Sequence, residues 1–562
     1  MKYIIIFLLS LMSAVTADAQ HNQVSRPRAT HSEVMASHAM VATSQPLATQ
    51  VAIEVLKKGG NAIDAAIAAN AVLGLVEPTG CGIGGDLYAL IWDAGTKRLY
   101  GINGSGRSPM GLKLEYFKKN NIKAIPPLGP LSVTIPGCVD AWAEMHEKFG
   151  RLPVEEILSP AIGYAREGFP VSESVAYYWE ESAEKYIPFP NFNETFTIDG
   201  KTPVKGERFK NPRLANTYEM LTEEGFRSFY EGTIADQIVA FVNSQGGFLS
   251  KADFEGHKSE WVNPISTNYR GYDVWELPPN GQGIAVLEML NMIEAYDINA
   301  MGFGSKDHLH LFVETKKLAF EDRSKYYNDP MFSFVDTEKL TSKAYAKELM
   351  QSFNPDKASV NYPSGNIESG NTIYLSIADA DGNIVSLVQS NYKGMGSGMV
   401  PPNLGFMLQN RAELFGLDSK GFNVYAPGKR PFHTIIPAFV TKNNKPWLSF
   451  GLMSGSTQPQ GHVQILINMI DFGMGIQEAG DAPRISHEGS VQVTTGKSFD
   501  SGWVNLETGF DYGVIRDLMK MGHRIKFDVG GYGGFQAIMW DEKNKVYFGA
   551  SEFKKDGQAA GY

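Results

Sequence analysis

Two cysteines in 562 residues, Cys81 and Cys138, are too few for a disulfide scaffold or a four-thiolate zinc site. They read as two unpaired buried thiols, with a single bridge as the alternative. Basic residues are in deficit: 51 Lys+Arg stand against 61 Asp+Glu, a net charge of −10. That sign repels phosphate backbones, so nucleic acid is excluded as an expected partner. No internal repeat, low-complexity tract, His-Glu-x-x-His, Walker loop or Cys-x-x-Cys is present, and no metal or organic cofactor is implied. Gly104-Ser105-Gly106 and Gly396-Ser397-Gly398 are only fragments of a nucleophile elbow. His308 and His310 are two apart on a helical pattern and fall on different faces, which argues against a metal pair there.

Long apolar runs are also missing. The N-terminus, MKYIIIFLLSLMSAVTADAQ, has one basic residue, an apolar stretch of 13 residues from Tyr3 to Val15, and Ala17-Asp18-Ala19 before Gln20. This reads as a signal peptide over residues 1–19, too short to span ~30 Å of hydrocarbon. An uncleaved anchor is the alternative. The next best stretch, Ala62 to Val76, carries Asp64 and Asn70. A soluble protein in the periplasm or secreted, with no membrane partner, is expected.

What is present is 43% apolar and 20% charged residues, enough for a large core. Two helical patterns, Pro46–Lys58 and Asn61–Leu75, precede the glycine-rich TGCGIGGD and a strand from Leu87 to Trp92. Gly80, Gly82 and Gly85 fit G-x-G-x-x-G. A dinucleotide site needs a strand before the glycines and a helix after them, and the order here is the reverse. A tight turn pressed against backbone or ligand is the remaining reading. Another long helix is expected over His308–Tyr327.

The sharpest boundary lies at residue 372. Ser352–Asn371 contains 20 residues, only five of them apolar, and reads as a loop. From Thr372, TIYLSIA, DADGN and IVSLV read as a hairpin of two buried strands. A Thr hydroxyl needs an adjacent base to act as nucleophile. An α-amine, with a reference pKa of about 7.7–8.0, suits that task better than a Lys amine near 10.4. Scission before Thr372 would give one residue both groups. Spacing alone also allows Thr372 to be an ordinary strand former.

At these residues the chain resembles the γ-glutamyltranspeptidase (glutathione hydrolase) family of self-processing N-terminal nucleophile hydrolases. The matching motifs run in order from GGNAIDAAIAANAVLGLVEP-TGCGIGGD through TIPGCVDAW, FGRLP, LSPAIGYAREGFPV, ELPPNGQGIAVLEMLNMIE and HLFVETKKLAFEDRSKYYNDP. They continue with SGNTIYLSIADADGNIVSLVQS, GSGMVPPNLGFMLQNR, KRPFHTIIPAFV and the terminal DGQAAGY. The resemblance implies an α/β (α+β) fold, a four-layer αββα sandwich. It implies self-cleavage between Asn371 and Thr372 into a large subunit, residues 20–371, and a small one, 372–562. The two subunits form one interlocked domain.

By the same resemblance, Thr372 is the nucleophile and Ser390 tunes it. Ser454 and Gly455 take the place of the family's oxyanion-hole diglycine. His433 and Thr434 replace a Ser pair that holds the substrate α-carboxylate, and His433 could add charge. Ser105 stands in the column of the family's carboxylate-binding Arg, with Arg107 two places on. The residues that hold the substrate's α-amino group align with Arg411 and Leu414; Asn410 and Glu413 flank these columns. An Arg at 411 repels an ammonium ion, unless it serves a structural salt bridge. The short segment Phe415–Lys429 suggests an open site.

These features imply a γ-glutamyltransferase or glutathione hydrolase that cleaves a small γ-glutamyl amide through a Thr acyl-enzyme and passes the acyl group to water or an amine. The same fold also allows an acylase for an anionic amide lacking a free α-amine, bound by Arg107 and Arg411. Outside this class stand a non-catalytic exported binding protein and a serine hydrolase with a dispersed triad.

Overall fold

The computed structural model describes residues 29–359, 371–418, 421–490, 502–527 and 530–562. The leader segment lies outside them. Among the described residues no helix is long and apolar enough to cross a membrane.

Period-two alternation in the central hairpin builds the architecture. In Asn371–Ala378, Ile373, Leu375 and Ile377 point into one apolar cluster, and Tyr374 and Ala378 into another. A strand buried on both faces must sit between two layers. It does so in a seven-stranded antiparallel sheet, ordered Gln558–Gly561, Met40–Thr43, Asn371–Ala378, Ile384–Tyr392, Asp86–Asp93, Arg98–Gly104 and Glu260–Val262. A second seven-stranded sheet runs Val34–Ala36, Val546–Ser551, Gln536–Asp541, Lys445–Gly451, Ala438–Lys442, Tyr272–Glu276 and Ile265–Tyr269.

Between the sheets lie Tyr88, Leu90, Tyr374, Val388, Phe439 and Ile538. Hydroxyl pairs cross the same layer: Tyr374 Oη and Ser386 Oγ are 2.7 Å apart, as are Ser376 Oγ and Ser449 Oγ. Helices Pro46–Lys57 and Ala62–Val76 cover the first sheet; Ile284–Ile293, Lys306–Tyr326 and Thr457–Ile470 cover the second. The four layers are the expected αββα sandwich.

The polar residues in the Ala-rich helix are explained by capping and bridging. Asn61 and Asp64 form a reciprocal capping box. Asp64 also accepts the N–H groups of Arg151 and Leu152. Asn70 Oδ1 accepts from Trp142 Nε1 at 2.9 Å and from the Cys138 thiol. Cys81 and Cys138 are buried and unbridged, and burial pushes both thiols well above the ordinary range. Neither is poised for thiolate chemistry.

Candidate active site

Thr372 is the second residue of its strand and shares a face with Tyr374 and Ser376, so it looks into the space between the sheets. On the neighbouring strand, Ser390 has the same parity as Ile384 and Val388 and shares that face. The pairing slips at this end: Asn371 pairs with Tyr392 but Ile373 with Gln389, so Thr372 is opposed by both Ser390 and Asn391. Such a bulge re-aims side chains at the end of a ladder. Tyr392 beside it is held at φ 81°, a left-handed conformation uncommon for a bulky side chain. Thr372 is buried, and among the described residues its Oγ1 has no hydrogen-bond partner. Ser390 Oγ accepts the Tyr392 N–H at 2.8 Å.

The glycine-rich loop explains itself at this point. A Cβ on Gly85 would lie 2.5 Å from the Ser390 carbonyl oxygen, and one on Gly84 2.2 Å from that of Met407; one on Gly80 would lie 3.4 Å from the Thr372 carbonyl oxygen. The loop is backbone packed on backbone around the strand that carries Thr372. Its last residue, Asp86, pairs with Ser390 across the sheet and is fully buried. Asp86 Oδ1 accepts from Gly106 N–H, Gly137 N–H and Gln409 Nε2; Oδ2 lies 3.0 Å from His433 Nε2.

Opposite, Tyr374 packs its ring on Gly451, where a Cβ would come within 2.3 Å. Three residues further comes the turn Ser454–Gly455, with φ 75° and 47°. Ser454 is a side-chain-bearing residue in a region that costs it of order 1–3 kcal/mol, which is why a glycine serves more easily there. Gln282 braces this turn. Its Nε2 donates to the carbonyls of Thr434 (2.5 Å) and Gly455 (2.9 Å), and its Oε1 accepts from Arg323 at 2.8 Å. Gln282→Ala would orphan two carbonyls and a guanidinium N–H in a dry interior. It is expected to cost about 2–4 kcal/mol in a denaturant titration and to lower turnover more than substrate binding.

Arg411 is fully buried. One nitrogen donates to Thr434 Oγ1 at 2.9 Å, and the guanidinium lies over the Tyr392 ring at 4.6 Å. Its Nε and second terminal nitrogen have no partner among the described residues. Burial lowers its pKa to about 10; Asp86 and Glu413 oppose that shift from a distance without touching it. Among the described residues no carboxylate forms a salt bridge with it.

A model of the family described as gamma-glutamyltranspeptidase matches residues 48–562. The chain belongs to the γ-glutamyltranspeptidase family. It is 37% identical over 537 residues to the glutathione hydrolase-like YwrD proenzyme of Bacillus subtilis (strain 168), covering 94% of this chain and 99% of that one. It is 31% identical to the glutathione hydrolase proenzyme of Escherichia coli (strain K12), covering 94% and 93%. Among solved structures it is similar to the cephalosporin acylase from Bacillus halodurans, with TM-score 0.88, 41% identity, and 97% and 99% of the two chains covered.

Against the γ-glutamyltranspeptidase pattern, several expected contacts are corrected by the geometry. Arg107 is not offered to a substrate: it is bound to Glu260 at 2.8 Å, Asp329 at 3.1 Å and the Gly428 carbonyl at 3.1 Å. Ser105 donates to Asn103 Oδ1 and accepts from Asn280, so its hydroxyl is spent inside the fold. Asn410 ties loops together, donating to the carbonyls of Pro127, Lys393 and Gly396 and accepting the Lys393 N–H. Glu413 is paired with Lys393 at 2.6 Å.

His433 adds no charge. Its Nδ1 faces the Ile435 N–H and its Nε2 the Asp86 carboxylate, which assigns a neutral ring protonated at Nε2. Burial, reinforced by Arg411, holds its pKa at about 4 despite Asp86. Unfolding releases it to an ordinary value near 6.5, so the unfolded chain binds the extra proton between about pH 6.5 and 4. The stability His433 contributes is present above pH 6.5 and is lost as pH falls through that window. His433→Gln is expected to flatten the slope of Tm against pH there.

Sequence reasoning assigned no role to Asp86, Gln282, Arg323 or Tyr392. Asp86 and Gln282 stood inside quoted motifs, beside the glycines of TGCGIGGD and PPNGQG. That placement was the available signal.

Proposed function

We propose that this protein is a self-processing amidohydrolase of the acylase-like kind, acting on amides whose acyl part carries an anionic group and no free α-ammonium. The observation that carries this reading is Arg411. A fully buried guanidinium with two nitrogens that have no partner among the described residues is a strong site for a carboxylate and a hostile one for an ammonium ion. It stands in the column where the resemblance puts the α-amino ligands, and its neighbour Leu414 is buried and apolar. The similarity to a cephalosporin acylase supports the same direction.

In the uncut chain the Thr372 nitrogen is a peptide amide and no base exists. Attack of Thr372 Oγ1 on the Asn371 carbonyl carbon, with departure of the Thr372 nitrogen, gives an ester. That departure frees the amine; water then cleaves the ester, freeing the hydroxyl and leaving Asn371 with a C-terminal carboxylate. The amine takes the hydroxyl proton as Oγ1 attacks the substrate amide, and returns it to the departing amine. The N–H groups of the Ser454–Gly455 turn face the oxyanion, a contribution of roughly 3–4 kcal/mol per donor. Water or a second amine then releases the acyl group. The leader, residues 1–19, directs the chain out of the cytoplasm, and scission leaves subunits 20–371 and 372–562 interlocked.

A γ-glutamyl anilide and its N-acylated form decide the substrate class. The acylase reading expects the N-acylated or ω-carboxyacyl anilide to be turned over at least as fast. A requirement for the free amine would return the assignment to glutathione hydrolysis.

A further inference from the structure

Away from the nucleophile, three donor side chains converge where the helix Lys306–Tyr326 meets the turn after the helix Tyr512–Lys520. His310 and Glu314 are four residues apart and share a helix face; His523 comes from the turn. One donor atom of each lies within 4.8 Å of the other two, and all three side chains are buried. His310 Nε2 is 2.8 Å from the carbonyl oxygen of Asn354, which can only accept, so that nitrogen carries a proton. His310 Nδ1, with its lone pair, faces His523 Nε2 at 2.7 Å. Backbone carbonyls orient metal-binding imidazoles in this way, through the far ring nitrogen. Glu314 supplies the carboxylate, with Oε2 on the Ser359 N–H at 3.2 Å and Oε1 on Lys317 Nζ at 2.7 Å.

We infer that His310, Glu314 and His523 form a binding site for one divalent cation of the zinc class. Two imidazoles and a carboxylate are a donor set suited to such an ion, with a fourth position left for water. Bonds of about 2.0–2.2 Å at tetrahedral angles place ligand atoms ~3.3 Å apart. The two rings open by a few tenths of an ångström and the widest pair closes by about 1.5 Å. The proton between the rings moves from Nε2 to Nδ1 of His523, so none is lost. Lys317 is the built-in competitor, because its ammonium holds one carboxylate oxygen and repels the cation. Micromolar rather than nanomolar affinity is expected.

The position gives the ion a task independent of the amide chemistry. Asn354 and Ser359 both bond to this cluster, and the Ala358 N–H donates to the Met521 carbonyl at 2.8 Å. These are the last described residues before Asn371. A bound cation would fasten that segment to the helical layer.

The test is isothermal titration of zinc chloride into the full chain, tag-free and stripped with chelator. One saturable site per chain is expected, weakened at least tenfold in His310→Ala and His523→Ala and tightened about tenfold in Lys317→Met. His523→Gln, which retains an amide in the cavity, is expected to show the same loss and serves if the alanine variant does not fold. Absence of saturable binding in the wild type, equal affinity in the histidine variants, or weaker binding in Lys317→Met would each overturn the site.

Discussion

Wild-type protein is expected to run as two bands on a denaturing gel, with the smaller one beginning at Thr372, and Thr372→Ala as a single uncut band. Activity in that variant is expected to fall at least about 10⁴-fold, the scale on which loss of a nucleophile acts. The effect is large because, in the proposed mechanism, one residue holds two functions: the Oγ1 that attacks the Asn371 carbonyl is the atom that later attacks substrate, and the amine base exists only after the first event. The fold should survive, since among the described residues Thr372 Oγ1 has no hydrogen bond to lose. Thr372→Ser keeps a hydroxyl and is expected to cut itself, more slowly, and to retain measurable turnover. N-terminal sequencing and mass spectrometry read both outcomes. An uncut but fully active Thr372→Ala chain would discard the mechanism.

Arg411→Met carries the second large effect, and it acts in opposite directions on two measurements. Among the described residues no carboxylate pairs with the buried Arg411 guanidinium, and its lowered pKa of about 10 records the desolvation cost. Replacing a buried, incompletely paired charge by an apolar chain of similar length is often stabilising by 1–4 kcal/mol. A higher Tm is therefore expected. With an anionic amide bound, the same residue supplies charge-assisted hydrogen bonds, and its removal should cost about 2–4 kcal/mol, roughly 30- to 1,000-fold in kcat/KM. The loss should be concentrated in KM. Differential scanning calorimetry and kinetics on an ω-carboxyacyl anilide check both halves. A lower Tm with unchanged kcat/KM would mean that the guanidinium serves the fold alone.

Much of the scaffold was legible in the chain. The helices expected at Pro46–Lys58, Asn61–Leu75 and His308–Tyr327 are found at Pro46–Lys57, Ala62–Val76 and Lys306–Tyr326. The hairpin from Thr372 is present, begun one residue earlier at Asn371. Periodicity reports which face of an element is apolar, and a capping residue reports where it starts, because both are short-range effects. Of the loop expected over Ser352–Asn371, residues 360–370 lie outside the described residues, and Asn371 already belongs to the strand.

Charge partnership was not legible. Arg107 and Arg411 are both arginines in motifs of the candidate site, and nothing local separates them. The fold brings Asp329, 222 positions away, to Arg107 at 3.1 Å, and among the described residues it brings Arg411 a hydroxyl and an aromatic ring but no carboxylate within ion-pair distance. The same holds for His433, neutral because burial and Arg411 outweigh the Asp86 carboxylate that the fold brings from 347 positions away. The helices, the central hairpin and the turn made by the glycine loop were determined by the chain itself, through alternation, capping and turn chemistry. Which cation meets carboxylates and which has none beside it among the described residues was decided only in three dimensions. Coulomb energy and desolvation depend on distance and burial, and neither is a property of neighbours in sequence.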